Sequence, residues 1–567
     1  MKSCLWLFFG GLFFAMTAFA TSTDSSLPHL HNGQLIVDGQ PFIVRGGELS
    51  NSSGEPDYLR SAWPKLCALN LNTVLAPVYW GVVEPEEGYF DFATVDGLLS
   101  DARANDMRLV LLWFGSWKNS MSSYVPAWVK RDTVRFPRVL DSSGRAHEIL
   151  SPFIPASAEA DARAFAALMR HLRENDREHT VIMVQVENEI GMIPEVRDYR
   201  PEAERAFSEP VPVELMAYLR ECAAKHALSP ELLEVWTASG TRGPRESGTW
   251  AEVFGGSVAA EEIFMAWHFA RYTERVAAAG RAELALPLFT NAALIRPGYQ
   301  PGQYPSGGPI PHLFDVWRAG APSLSFLAPD IYFQTFTYWA HAYKRGGNAL
   351  FIPEALRSND AAVNALYASG EHAAIGFSPF AIESTPEPAA SYLAASYDLI
   401  RQLTPLLTAA HAQGGVCRRS AGFLKESEET KQPSQVRLGK WIIHASFERA
   451  EPPSLADGLA IVVGVDNSAF DRQGGASGQL APAGGLVIAL GEDEFLFAGI
   501  GLTLTFASAE LGGWQAGLLD VAEGRFDERG EWQHIRWLNG DQTHQGRHVR
   551  LEPGRFTLQR VRLYRYR

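Results

Sequence analysis

Cysteine is scarce in this chain: four among 567 residues, at positions 4, 67, 222 and 417. The three in the body of the chain are too widely spaced for a disulfide framework or a metal-ligand cluster. They make either one bridge and one free thiol or three buried thiols, and buried thiols are the expectation. Basic charge is also short. Lys and Arg number 50 against 64 Asp and Glu, a formal net charge of −14 with no Lys/Arg cluster to offset it locally. Nucleic acid and anionic membrane surfaces both demand a basic patch, so neither is an expected partner. Signatures of other chemistries are missing too. No Gly-rich phosphate loop follows the first strand, and no G-x-S-x-G turn stands at a strand end. His268, His312 and His341 lack the H-E-x-x-H spacing of zinc hydrolases. No cofactor and no metal is expected.

Long apolar runs are confined to the N-terminus. Met1-Lys2 precedes the apolar stretch from Leu5 to Phe19, which closes on Ala18-Phe19-Ala20, an A-x-A cleavage pattern. Residues 1–20 read as a signal peptide, with the mature chain beginning near Thr21. Export to the periplasm or the medium follows, without membrane insertion after cleavage. The remainder is 46% hydrophobic and 20% charged over the whole chain, which suits a folded protein too long for one ordinary core.

Eight short apolar runs alternate with helical stretches between Phe42 and about His411. They are Phe42–Glu48, Thr73–Val78, Arg108–Trp113, Val181–Glu187, Pro287–Asn291, Ser325–Asp330, Ala349–Glu354 and Ala374–Phe380. Continuous rather than alternating apolar runs are what strands buried on both faces need. Helical stretches over 58–69, 95–105, 161–174, 213–226, 261–279, 338–345, 360–369 and 389–404 complete the repeat. The expected fold is α/β: a (β/α)8 TIM barrel over residues 30–411. After it the helical pattern stops. Short β-like stretches such as Lys440–His444, Leu459–Val465 and Leu502–Phe506 predict a β-sandwich over 412–567.

Two of the apolar runs end on carboxylates. The fourth runs into Glu187-Asn188-Glu189 and the seventh into Pro353-Glu354-Ala355. Barrel enzymes place their chemistry at the carboxyl ends of the strands. Two carboxyls facing one another there can cleave a glycosidic bond, one protonating the leaving oxygen and the other attacking the anomeric carbon. A single strand-end Glu is more often an ordinary ion pair. An Asn-Glu pair on strand four together with a Glu on strand seven is far more specific.

This arrangement resembles the clan A retaining glycoside hydrolases. Within that clan, Val184–Gly191, VQVENEIG, is similar to the family 35 β-galactosidase motif VQVENEYG. Trp80 with Val83–Phe92 resembles the same family's W-N-x-H-E-P-x-x-G-x-x-D-F segment. The resemblance covers roughly residues 30 to 410. It implies Glu189 as acid/base, Asn188 as donor to the sugar 2-hydroxyl, and Glu354 as nucleophile of a double displacement with retained configuration. Glu187 is expected to orient its neighbours rather than to react. Three loops depart from the family: Pro77–Trp80 where Tyr-Val-Pro-Trp is common, Gly115–Asn119 in place of Ala-Glu-Trp, and Arg45–Leu49 in place of Ser-Gly-Ser-Ile-His. The chain is similar to a divergent bacterial branch, some of whose enzymes remove galactose from xyloglucan side chains. The implied partner is therefore a galactosylated oligo- or polysaccharide.

Sugar sites pair aromatic planes with polar side chains. Tyr79, Trp80, Trp113, Trp117, Asn291 and Tyr332 stand at strand ends, with Tyr79, Trp117, Asn291 and Tyr332 taken as substrate-binding. A phenol at Tyr332 is placed to hydrogen-bond Glu354. The Gly/Pro/Tyr-rich stretch 296–311 is a candidate subsite wall through Tyr299 and Tyr304. The alternatives are another clan A enzyme of endo-glucanase or mannanase type, or a glycan-binding barrel without catalysis. Trp441, Trp514, Trp532 and Trp537 of the second unit fit either polysaccharide binding or, as expected here, its own core.

Overall fold

The computed structural model describes residues 27–238, 245–333, 335–412, 418–426, 434–449 and 481–567. The signal segment 1–20, Cys417 and the strand expected at 459–465 lie outside these residues. Among the described residues no helix is long and apolar enough to cross a membrane.

Eight parallel strands close into a barrel in chain order. They are β1 (Val44–Glu48), β2 (Thr73–Tyr79), β3 (Arg108–Phe114), β4 (Val181–Val186), β5 (Leu288–Ala293), β6 (Phe326–Ile331), β7 (Phe351–Ala355) and β8 (Gly376–Pro379). The last pairs with the first through Gly376–Val44 and Phe377–Arg45. Each coincides with one of the eight apolar runs. The reason is visible in the burial: β3, β4 and β6 are buried almost throughout, and so mostly apolar, because both faces are covered. One face fills the barrel with Leu75, Val110, Leu112, Phe289, Phe326 and Phe351. The other, including Val74, Leu109, Leu111 and Val184, lies under the helices. An N-terminal three-stranded sheet, His29–His31, Gln34–Val37 and Gln40–Phe42, sends Leu35 and Val37 into the interior cluster.

The helices follow with local differences. The stretch at 58–69 splits into Pro56–Leu59 and Trp63–Ala68, since Pro64 sits in the first turn of the second piece. A helix at Phe314–Gly320 between β5 and β6 escapes the sequence pattern because it is only seven residues long. The connection from β4 to β5 is the largest, ending in the 26-residue helix Val258–Glu283 packed against Pro155–Asn175.

Beyond the helix Ala389–Ala412 the regular structure of the described residues is all β. Its strands are β9 (Ser420–Leu424), β10 (Ser434–Leu438), β11 (Trp441–Phe447), β12 (Gly484–Ala489), β13 (Glu494–Ile500), β14 (Leu502–Ser508), β15 (Gln515–Phe526), β16 (Trp532–Trp537), β17 (Val549–Leu551) and β18 (Thr557–Tyr566). One sheet runs β9-β12-β13-β18-β15-β16 and the other β10-β11-β14-β17. Trp441, Ile443, Val487, Phe497 and Val561 form the core between them. Leu486, Ile488, Leu496, Ala498 and Leu558 instead join the core of the barrel. The central strands of the six-stranded sheet, β12, β13 and β18, are thus covered on both sides, one of them against the barrel's last helices. Of the four tryptophans named above, Trp441 is fully buried and Trp537 is 60% exposed.

The thiol expectation needs correction. Cys67 is exposed and Cys222 partly so, and both are free. Cys67 sits on the outer side of a short helix, where one more apolar side chain does not have to be buried.

Candidate active site

At the end of β4 the backbone leaves the extended region abruptly. Glu187 and Glu189 both adopt positive φ, 62° and 46°. Such conformations are costly for residues with a Cβ and persist only when neighbours enforce them. Here the enforcement is visible. The Ser120 hydroxyl donates to the Glu189 carbonyl at 2.9 Å, and the Glu189 N–H donates to Asn291 Oδ1 at 3.0 Å. Asn188 N–H donates to the Trp117 carbonyl at 3.1 Å. Gly191 closes the turn where a Cβ would meet the Pro305 carbonyl carbon at 2.5 Å.

The turn brings Glu189 to Glu354 of β7. Oxygens of Glu189, Glu354 and Asp330 of β6 all lie within 4.8 Å of one another. Asp330 and Glu354 are register partners on adjacent strands, so their side chains leave the sheet side by side. Glu48 at the end of β1 adds a fourth carboxyl, and only 2% of it is exposed. The cation that answers them is Lys118, itself 3% exposed, on the loop after β3. Its Nζ donates to Asn188 Oδ1 at 3.0 Å and lies 5.0 Å from the Phe114 ring centre.

Burial of charge sets the proton affinities. Desolvation pushes the Glu354 carboxyl up to about 7; Lys118 and the Tyr332 hydrogen bond pull it down, and the Glu189 charge pushes it further up. Desolvation and then Glu354 drive Glu48 and Asp330 well above the usual carboxylate range. For Lys118, burial favours the neutral amine, but the surrounding carboxyls outweigh it and its pKa is raised. The site therefore holds its lysine as a cation among carboxyls that cannot all ionise. The three close carboxylates have the spacing of a cation site, but the Lys118 ammonium already supplies the positive charge.

The residues singled out in the sequence fall into two groups. Tyr332 donates its hydroxyl to Glu354 Oε1. Asn119, which was not among them, donates to Glu189 Oε2. Asn291 bridges the acid's backbone to Asp330, with its amide 2.6 Å from Asp330 Oδ2. Asn188 Nδ2 is buried with no protein partner, which leaves a donor free for substrate. The tryptophans lie elsewhere. Trp80, Trp113 and Trp117 are all fully buried. Trp80 donates to Glu84 at 2.8 Å and Trp113 to Asp161 at 2.8 Å. Trp117 packs edge-on against Phe269 and Tyr272, centroids 5.6 and 4.5 Å away. None of the three has a free face for a sugar. Tyr79 stacks on Phe114 and Tyr124 and borders a small apolar cavity with Gly54, Pro77 and Val82. In the stretch 296–311, Tyr304 is buried with its hydroxyl donating to Glu262 at 2.7 Å, and Ser306 pairs with Met192. That stretch braces the acid's turn from behind. Glu48, Lys118, Asn119 and Asp330 were not picked out; Glu48 and Asp330 stand at the ends of apolar runs and Lys118 and Asn119 in the loop after one, positions at which a polar residue is ordinary.

A family model described as glycosyl hydrolases family 35 matches residues 34–243. The first half of the barrel is thus similar to family 35. That match takes in β1 to β4 and Glu189 but stops short of β7, so Glu354 rests on the geometry above. A second model, a domain of unknown function (DUF5597), matches residues 393–550. Among curated proteins, the chain is similar to a β-galactosidase of Xanthomonas manihotis, 28% identical over 186 residues. It also reaches the human β-galactosidase-1-like protein 3, 29% identical over 214 residues. These alignments cover 30% and 37% of this chain and 28% and 30% of those proteins, so well under half of either relative is spanned. Solved structures that align include a β-galactosidase from Marinomonas ef1, 12% identical, with a TM-score of 0.44 over 65% of this chain and 61% of that one. A family 42 β-galactosidase from G. stearothermophilus aligns at 14% identity, TM-score 0.45, over 64% and 57%.

Proposed function

We propose that the protein is an exported, retaining exo-β-galactosidase acting on galactosylated glycans, with xyloglucan side chains as a candidate substrate. The observation that carries the reading is the approach of Glu189 and Glu354 to within 4.8 Å. Retaining glycosidases hold their two carboxyls about 5–5.5 Å apart, and inverting enzymes need about 6.5–9.5 Å to admit a water. The family 35 match over 34–243 and the two β-galactosidase relatives support the sugar. The exo mode is supported by enclosure, since Glu189 is 8% and Glu354 4% exposed. Export rests on the apolar N-terminal segment ending in Ala18-Phe19-Ala20.

In this mechanism ionised Glu354 attacks the anomeric carbon while Glu189 gives its proton to the departing oxygen. Lys118 and Tyr332 stabilise Glu354 as an anion before attack, and Tyr332 loses that partner as the glycosyl ester forms. Asn188 presents Nδ2 to the 2-hydroxyl, with Lys118 on Oδ1 fixing which way the amide faces. Glu189, now ionised and held by Asn119, draws a proton from water, which releases the sugar with its configuration retained.

Hydrolysis of nitrophenyl β-galactoside beside the β-glucoside, β-mannoside and β-xyloside tests the substrate, with galactose release from xyloglucan oligosaccharides next. Proton NMR of the first-formed anomer tests retention. Preference for another glycoside would move the protein to a different clan A activity. An inverted first product would remove the double displacement.

A further inference from the structure

Behind the site, and unused by the mechanism above, lies a second pair of buried carboxyls. Asp161 of the helix Pro155–Asn175 and Glu187 are both fully buried and face one another closely enough to perturb each other's proton affinity. Two carboxylates in contact without solvent would repel strongly, and two neutral acids would offer a donor that one of them cannot use. The donors around each decide between the remaining states. Asp161 Oδ1 accepts from Trp113 Nε1 at 2.8 Å. Its Oδ2 accepts from the Ser116 N–H at 2.9 Å and the Ser116 hydroxyl at 2.7 Å. Tyr272 reinforces the same side, 2.6 Å from the Ser116 hydroxyl. The Trp113 and Ser116 N–H groups can only donate, so they favour the anion at Asp161, against the burial that raises its pKa. Glu187 Oε2 accepts from the Trp117 N–H at 2.7 Å, whereas Oε1 meets no donor at all. A proton on Glu187 satisfies both residues. Burial followed by the Asp161 charge raises the Glu187 pKa well above the usual carboxylate range, in the same direction.

What this pair holds is the loop after β3. Asp161 and Glu187 between them take the consecutive N–H groups of Ser116 and Trp117. The next two residues are Lys118, on Asn188, and Asn119, on Glu189. The loop passes close enough that a Cβ on Gly115 would meet Asp161 Oδ1 at 2.7 Å. We propose that Asp161 and Glu187 share a single proton, carried by Glu187, and that the pair positions Lys118 and Asn119 on Asn188 and the acid Glu189. Both are positioning residues that act through the backbone of Ser116 and Trp117. This rests on the glycosidase reading only for what the positioned groups do. The location of the proton is independent of it.

The test compares isosteric amides. In Glu187→Gln the amide still donates to Asp161 and its carbonyl still accepts from Trp117. The expected kcat is within about threefold of wild type on whichever nitrophenyl glycoside the enzyme turns over. Asp161→Asn turns an NH2 toward donors and should lower kcat about a hundredfold with KM little changed, the cost of displaced catalytic groups. A loss in Glu187→Gln as large as in Glu187→Ala would overturn the assignment, and so would an Asp161→Asn variant with full kcat. If Asp161→Asn does not fold, Glu187→Gln carries the activity arm alone. A substrate-free arm separates this from the galactosidase reading. The infrared difference between wild type and Glu187→Gln should contain a protonated-carboxyl carbonyl band that shifts with carbon-13-labelled glutamate. A band that shifts with labelled aspartate instead, or no such band, refutes the proton on Glu187 even if no glycoside is ever hydrolysed.

Discussion

Replacing the proposed nucleophile should make the protein more stable, but only where that nucleophile is charged. Glu354 is 4% exposed, and burial lifts its carboxyl from an ordinary 4.5 to about 7. A carboxyl raised in the folded state is favoured there when protonated. Its ionisation therefore costs nothing below the unfolded value, costs progressively more between about 4.5 and 7, and costs the full amount above that. At about 1.36 kcal/mol per unit, the full amount is about 3 kcal/mol. Glu354→Gln removes the charge and keeps an oxygen for the Tyr332 hydroxyl, so at about pH 8 it should recover most of that energy. Spread over an unfolding entropy of about 0.8 kcal/mol per kelvin for a barrel of this size, the gain is a Tm rise of about 4 °C. At about pH 5 the remaining difference should fall below about 1 kcal/mol, near 1 °C. Scanning calorimetry of both proteins at the two pH values, with activity recorded alongside, is the assay. A Tm difference that is the same at both pH values, or a variant less stable than wild type at about pH 8, would refute the argument from buried charge.

Other expectations follow from the same contacts. Glu354→Ala should lose turnover by on the order of 10⁴-fold, and azide should restore part of it with an inverted glycosyl azide product, read by NMR. In the wild type, kcat/KM should decline as pH falls through about 7, where Glu354 takes up its proton. Tyr332→Phe removes a hydrogen bond to that carboxylate, so kcat should drop ten- to a hundredfold and the acid limb should move to higher pH. Lys118→Met removes the one cation beside four carboxyls and frees the Asn188 amide; the acid limb should again move up, and kcat should fall about a hundredfold. An unmoved acid limb in either variant would show that neither group tunes Glu354.

The eight strands could be read from the chain because a parallel strand in a closed barrel is covered on both faces. Arg108–Phe114 and Val181–Val186 have no polar interruption after their first residue or before Gln185. Glu189 and Glu354 stood out for the complementary reason: each ends such a run with a charge. The same logic did not single out Glu48 or Asp330, which also end apolar runs. One carboxyl at a strand end looks like any other until the closure of the barrel shows which ones meet. Lys118 was still harder to see, because a lysine in a loop is ordinarily solvated and only the packing around it makes it 3% exposed. The aromatic residues show the opposite error. Trp113 and Trp117 look like sugar platforms in sequence, but the side to which each ring points depends on strand register and on the turn that follows. Here both rings point away from the barrel mouth, under helices.

Pattern alone thus determined the element order, the barrel and the pair of glutamates, since burial on two faces and a charge at its end are local properties of a segment. Tertiary structure decided the rest: which four carboxyls share one lysine, which tryptophans are core, and that Asp161 stands behind Glu187. Those pairings join residues separated by 24 to more than 300 positions, through side chains whose direction is set by barrel closure and by backbone turns at positive φ. No local pattern encodes such distances. The energies that make the site reactive, the cost of burying charge and the gain from answering it, exist only once those side chains have met.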